Sequence, residues 1–158
     1  MSILGGNPMR EILFRGKNNP NYYPETGEWF EGSYIHQTQF YGDPVDYHWI
    51  LFNGEFDMDF YDATVVYPDT VSQFTGIQDQ NNKKVFEGDI IRFHAGYLQG
   101  HWTGVVEYAD GSFVTKGIKP YRMRSDQDDN FVVPLSNIDK STIEIIGNKW
   151  DNIDILKG

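Results

Sequence analysis

The residues whose types and spacing could do chemistry fall into a few groups. Asp57, Asp59 and Asp62 form an acidic row. Carboxylate oxygens at such spacing suit magnesium or calcium, which would make the chain a metal-dependent hydrolase. Strand alternation, however, puts Asp57 and Asp59 on one face and Asp62 on the other. No glycine turn or bidentate Glu completes a calcium loop, and a solvated strand face explains the row more simply. His36, His48, His94 and His101 are too dispersed for a local metal motif. His94 and His101 flank one loop and could converge, but a general base needs a partner that the sequence does not display. Gly111-Ser112 reads as a hairpin turn, not a nucleophile elbow. No catalytic residue, metal or other cofactor is assigned, and the chain is expected to be non-enzymatic.

Two groups suit binding instead. Lys116, Lys119, Tyr121, Arg122 and Arg124 interleave cations with an aromatic ring, the combination that phosphate contact and base stacking need on one loop. Asp126, Asp128 and Asp129 follow at once and cancel much of that field, so nucleic acid ranks second as a partner. The region 22–67 is crowded with aromatic residues, Trp29, Tyr34, Tyr47 and Trp49 among them. A packed core is the plain explanation. A small sheet cannot bury both of its faces alone, however, and Tyr and Trp are the residues that anchor protein interfaces. The leading expectation is therefore a protein-interaction or self-assembling module, bound to itself or to another protein. A nucleic-acid-associated β-barrel is the alternative, and a hydrolase the third.

Charge sharpens this ranking. The net charge of −10 is concentrated at one end. Residues 1–70 hold three Lys or Arg against eleven Asp or Glu, a balance of −8; residues 71–158 hold ten against twelve, a balance of −2. The first part repels polyanions, and the second carries a local basic stretch. There are no cysteines, so disulfide and thiolate chemistry are excluded, which fits a cytosolic protein. No apolar run reaches the length of a membrane span, and no secretory pattern opens the sequence.

The elements that must position these residues are strands. At 158 residues the chain makes one large domain or two small ones. Residues 1–8 read as a disordered leader or expression remnant, residues 9–68 as a β-rich N-terminal subdomain and residues 69–158 as a second subdomain. Strands are expected at 9–17, 28–36, 46–52, 55–67, 71–77, 84–86, 90–93, 102–108, 112–118, 131–134 and 142–148, with turns and loops between them. The Gly at position 32 signals a bulge or a close neighbour. Asn53-Gly54 and Asp110-Gly111 are hairpin signals. Gly76, Gly88, Asp89 and Gly147 are assigned as structural turn residues, Asp89 able to bond its own downstream amides. The tail after Trp150 suits one helical turn or an irregular segment. Short strands at regular spacing make the chain mainly β, with a small five-stranded SH3-like barrel from Asp89 onward.

One set of segments is distinctive in combination: Met9-Arg10-Glu11-Ile12, Phe14-Arg15-Gly16-Lys17, Gly27-Glu28-Trp29, Glu31-Gly32, Val71 to Phe93, Gly104 to Tyr108, Ile145 to Asn148 and Asp151-Asn152. In these segments the chain resembles the YopX family of phage and prophage proteins. The resemblance implies an SH3-like barrel in the C-terminal part, a smaller β-rich N-terminal part, a phage or prophage source and a place in the bacterial cytoplasm. It implies no activity and carries over no catalytic residue.

Overall fold

A computed structural model describes residues 9–52, 62–94, 100–118 and 132–157. The fold is mainly β, and the chain divides into two compact units, residues 1–71 and 72–158.

The first unit is an antiparallel meander of β1 (Phe14–Lys17), β2 (Trp29–Gln39), β3 (Val45–Leu51) and β4 (Ala63–Val65), ordered β4-β3-β2-β1. The strand expected from Met9 begins only at Phe14; Met9 and Ile12 are exposed and bury nothing that would reward pairing. Gly32 marks a close neighbour: a Cβ there would overlap the Leu51 carbonyl oxygen. The meander curls until a single antiparallel bridge, Asn18 to Val66, joins its two edges. Val66 fills the space over Gly16, where a Cβ would sit 2.8 Å from a Val66 methyl.

Asn18 holds this closure. It is fully buried, and its side chain is engaged on both sides. Oδ1 accepts from the backbone N–H of Thr26 and of Gly27, each at 3.0 Å, and Nδ2 donates to Thr64 Oγ1 at 2.7 Å. Thr64 Oγ1, also buried, donates to the Tyr23 carbonyl at 3.1 Å. One amide thereby ties the 18–28 loop to β4 and satisfies groups that burial would otherwise leave orphaned.

The second unit begins with the hairpin of β5 (Ser72–Gln78) and β6 (Lys84–Phe86). It continues as a five-stranded antiparallel sheet of β7 (Asp89–Phe93), β8 (Trp102–Ala109), β9 (Ser112–Ile118), β10 (Val132–Pro134) and β11 (Glu144–Asn148), ordered β10-β9-β8-β7-β11. A short helix, α1 (Ile153–Lys157), ends it. The core gathers apolar side chains from most of these strands, including Val85, Ile91, Phe93, Trp102, Val106 and Ile143. Among the described residues no strand pair joins β10 to β11, so the sheet is open. The β5–β6 turn supplies partners along the β11 edge instead. Gln80 N–H donates to the Ile143 carbonyl at 2.8 Å, and Asp79 Oδ2 accepts from Ile145 N–H at 3.2 Å.

The corner before β7 joins two parts of this unit. Asp89, buried, accepts from Phe86 N–H at 2.8 Å. Gly88 lies at φ +83°, donates to the Val106 carbonyl and accepts from Lys149 N–H. The Trp150 ring sits where a Gly88 side chain would be. Gly76 has a similar φ of +86° but open space around it.

Asn18→Ala should lower the free energy of unfolding by about 1–3 kcal/mol, because it removes the acceptor of the partly buried Thr26 and Gly27 N–H groups and the donor to the buried Thr64 hydroxyl. A shift of the urea midpoint at unchanged slope is the reading, and a neutral result would contradict the bonded network. Gly76→Ala should cost about 1–2 kcal/mol from backbone conformation alone. Gly88→Ala adds a collision with an indole ring and should cost roughly 3 kcal/mol or more. Equal losses in thermal denaturation would mean that Trp150 does not pack on Gly88.

Candidate functional site

The β2–β3 hairpin runs beyond the strands that flank it. β1 pairs with β2 only as far as Gly32, and β4 pairs with β3 only as far as Trp49. From there to the 40–44 turn, apart from a Val66 N–H bond to the His48 carbonyl, β2 and β3 pair with each other alone, in the register Ile35 to Trp49, His36 to His48, Gln37 to Tyr47, Thr38 to Asp46 and Gln39 to Val45. Period-two alternation gives this ribbon two chemically different faces.

One face is polar and internally bonded. The Tyr34 hydroxyl and His48 Nδ1 share a hydrogen bond of 2.6 Å, and His48 stacks on His36 with ring centroids 4.6 Å apart. His36 Nε2 lies 3.4 Å from Asp46 Oδ1, which also accepts from the Thr38 hydroxyl at 2.7 Å. Burial pushes the Tyr34 hydroxyl up, so it stays protonated at neutral pH. The Thr38 hydroxyl, with a smaller contribution from His36, holds the Asp46 carboxyl below the usual range. No group of three or more His, Asp or Glu among the described residues is placed to hold a metal ion.

The other face is aromatic and apolar. Tyr47 and Trp49 lie with ring centroids 6.2 Å apart, and Tyr22, from the loop that Asn18 secures, meets Tyr47 edge-on at 6.1 Å. Trp49 Nε1 donates to Gln37 Oε1 at 3.2 Å. Ile35 and Val45 are exposed on the same face, and Phe40 and Tyr41 in the turn are 75% and 92% exposed. Trp29 belongs to this face too, but Arg15 lies over its ring at 4.8 Å.

Of the four aromatic residues expected at an interface, Trp29, Tyr47 and Trp49 therefore share a face, whereas Tyr34 points the other way into the histidine cluster. A turn over 37–44, as the sequence suggests, leaves Gln37 off the strand, and a strand starting at Asp46 leaves out Val45; the structure puts both on this surface. The alternation of 45–51 carried a signal: pairing it back through a short turn extends β2 to Gln39.

The other expected sites fare differently. Lys116 Nζ pairs with Glu107 at 2.9 Å, which raises the Lys116 pKa; Lys119, Tyr121, Arg122 and Arg124 lie outside the described residues. Asp57 and Asp59 also lie outside them, and Asp62 helps to close β3, its carbonyl accepting from Phe52 N–H. His94 and His101 do converge, with ring centroids 6.3 Å apart. The His94 backbone is bonded to Thr142, and the neighbouring Asp139 is occupied by Ser141. Gly147 is crowded by the Asn152 side chain, whose Oδ1 accepts from Asn148 N–H at 3.0 Å. Among the described residues no helix is long and apolar enough to cross a membrane.

A family model described as YopX protein matches residues 14–157, nearly the whole chain. No curated protein matches it significantly. The chain belongs to the YopX family, a family of uncertain function.

Thr38→Val should raise the Asp46 pKa toward its ordinary value of 3.8, read from the side-chain carboxyl ¹³C shift during an acid titration. Because the folded pKa is the lower one, the stabilisation it reflects is present above the unfolded value. It is lost as pH falls through the folded value. An unchanged Asp46 titration would show that the Thr38 bond does not act on the carboxylate.

Proposed function

We propose that this YopX-family chain is a non-enzymatic protein-binding module whose first unit presents the Tyr47–Trp49 face of its β2–β3 hairpin to another protein. The observation that carries the reading is the exposed apolar surface gathered there: Ile35, Phe40, Tyr41 and Val45 stand open to solvent beside two half-buried aromatic rings. Exposed side chains of this size, clustered on one hairpin, mark an interaction surface. Tyr and Trp are the residues that such surfaces use as anchors.

A second copy of the chain suits the face poorly. Residues 1–70 carry a balance of −8, and apposing two such units sets like charges together. The partner in this reading is a different protein. The family resemblance supports a phage or prophage source and action in the bacterial cytoplasm. Five short antiparallel strands around one apolar core support an SH3-like reading of the second unit, the scaffold that accompanies the binding hairpin.

A photo-crosslinking residue placed at Gln37, and at Glu107 as a control, tests the face in expressing cells. Adducts of defined mass with another protein are expected from position 37 and not from 107, and light scattering should give a monomer. Adducts equal at both positions, no adduct at 37, or adducts only with a second copy would each overturn the reading.

A further inference from the structure

The four tryptophans are not treated alike. Trp102 is 7% exposed in the second unit's core. Trp29 lies under Arg15 and Trp150 under Lys149, each cation 4.8 Å from the ring centroid. Trp49 has neither arrangement: its indole N–H is held by Gln37, its neighbour Tyr47 is tilted 37° to it, and no cation covers it among the described residues. The sequence explains why. No Lys or Arg occurs between Lys17 and Lys83, while eleven Asp or Glu do, Asp43 and Asp46 among them beside the hairpin turn. Trp49 thus lies on strands that carry no Lys or Arg, in a unit of net negative charge, with Asp43 in the adjoining turn and Asp46 on the opposite, polar face.

We infer that the face takes a basic segment of its partner, with an arginine or lysine side chain laid over Trp49 and Tyr47. This rests on the protein-binding reading and names the chemistry of the occupant. A cation over an indole ring is attracted by the ring quadrupole, and Arg also stacks its planar guanidinium. The net negative charge of residues 1–70 adds the long-range attraction that steers a basic partner. The aliphatic stems of Arg and Lys can lie on Ile35 and Val45 while their charged ends stay hydrated. The same field repels nucleic acid, so the basic segment belongs to a protein.

The test is a ¹⁵N NMR titration of the full chain with a decapeptide of alternating Arg and Gly, and with its citrulline counterpart, which keeps the shape and loses the charge. The largest shifts with the Arg peptide should fall on the Trp49 indole and on the Gln37 and Tyr47 amides, and should weaken as salt rises. Citrulline should bind at least ten-fold more weakly, and Trp49→Leu should weaken the Arg peptide about five-fold. Gln37→Lys, an exposed change that supplies a competing cation, should abolish those shifts while leaving the spectrum of the second unit intact. Shifts spread over all the carboxylates, indifference to Trp49→Leu and Gln37→Lys, or no binding at millimolar peptide would each overturn the inference. Equal binding of the citrulline peptide at the face would overturn the basic occupant alone. The protein-binding reading falls separately, with the loss of crosslinking at position 37.

Discussion

Each unit is built around buried side-chain acceptors that have taken on backbone N–H groups. In the first unit Asn18 caps the amides of Thr26 and Gly27 and grips Thr64. In the second, Asp79 Oδ1 accepts from Asn81 and Lys83, its Oδ2 reaches Ile145 on β11, and Asp89 takes the Phe86 amide. These side chains are 0–4% exposed. A buried polar group without a partner costs more than a made bond returns, so each acceptor admits only the chain path that delivers its donors. The strands are short, and such residues decide how their connections lie.

This division sets what could be read from the sequence. Alternation along β2 puts Trp29 and Ile35 on one face and Tyr34 and His36 on the other, a pattern legible in the sequence because a strand's side-chain period does not depend on distant contacts. The Glu87-Gly88-Asp89 corner was visible for the same local reason, since glycine supplies the positive φ, although Asp89 takes the upstream Phe86 amide where downstream amides were expected. Asn18 was not visible. Its bond to Thr64 spans 46 residues, and nothing in Lys17-Asn18-Asn19 separates a buried hub from an ordinary loop asparagine. The open edge at β11 was equally hidden, since it depends on Asp79 meeting Ile145 across 66 residues.

The aromatic surplus of the first unit was legible as a composition but not as a surface. Where β1 and β4 flank the hairpin, its inner positions are filled by Ile50, Thr64 and Val66, small or branched side chains that pack in a tight curl. Phe14, Tyr34, Phe30 and Phe52 form ring pairs along the same side. Among the described residues of the hairpin, Trp29, Tyr47 and Trp49 stand on the opposite face, and Phe40 and Tyr41 at the turn. Which ring falls in which group depends on where the flanking strands stop, at Gly32 and Trp49, and composition does not encode those limits.

A two-stranded ribbon without neighbours is marginally stable in water, so the exposed hairpin needs a reason to stay ordered. Its polar face provides one. Tyr34 with His48, His36 stacked on His48, and Thr38 and His36 on Asp46 form a ladder of cross-strand contacts that fixes register residue by residue. A slip of one position between the strands would carry one of His36 and His48, but not the other, to the aromatic side and break these cross-strand contacts. The two faces therefore depend on each other. The hydrogen-bonded side holds Trp49, Tyr47 and Gln37 at fixed spacing, so the aromatic side keeps little conformational entropy of its own. The polar cluster acts in this arrangement as the frame that positions the aromatic face.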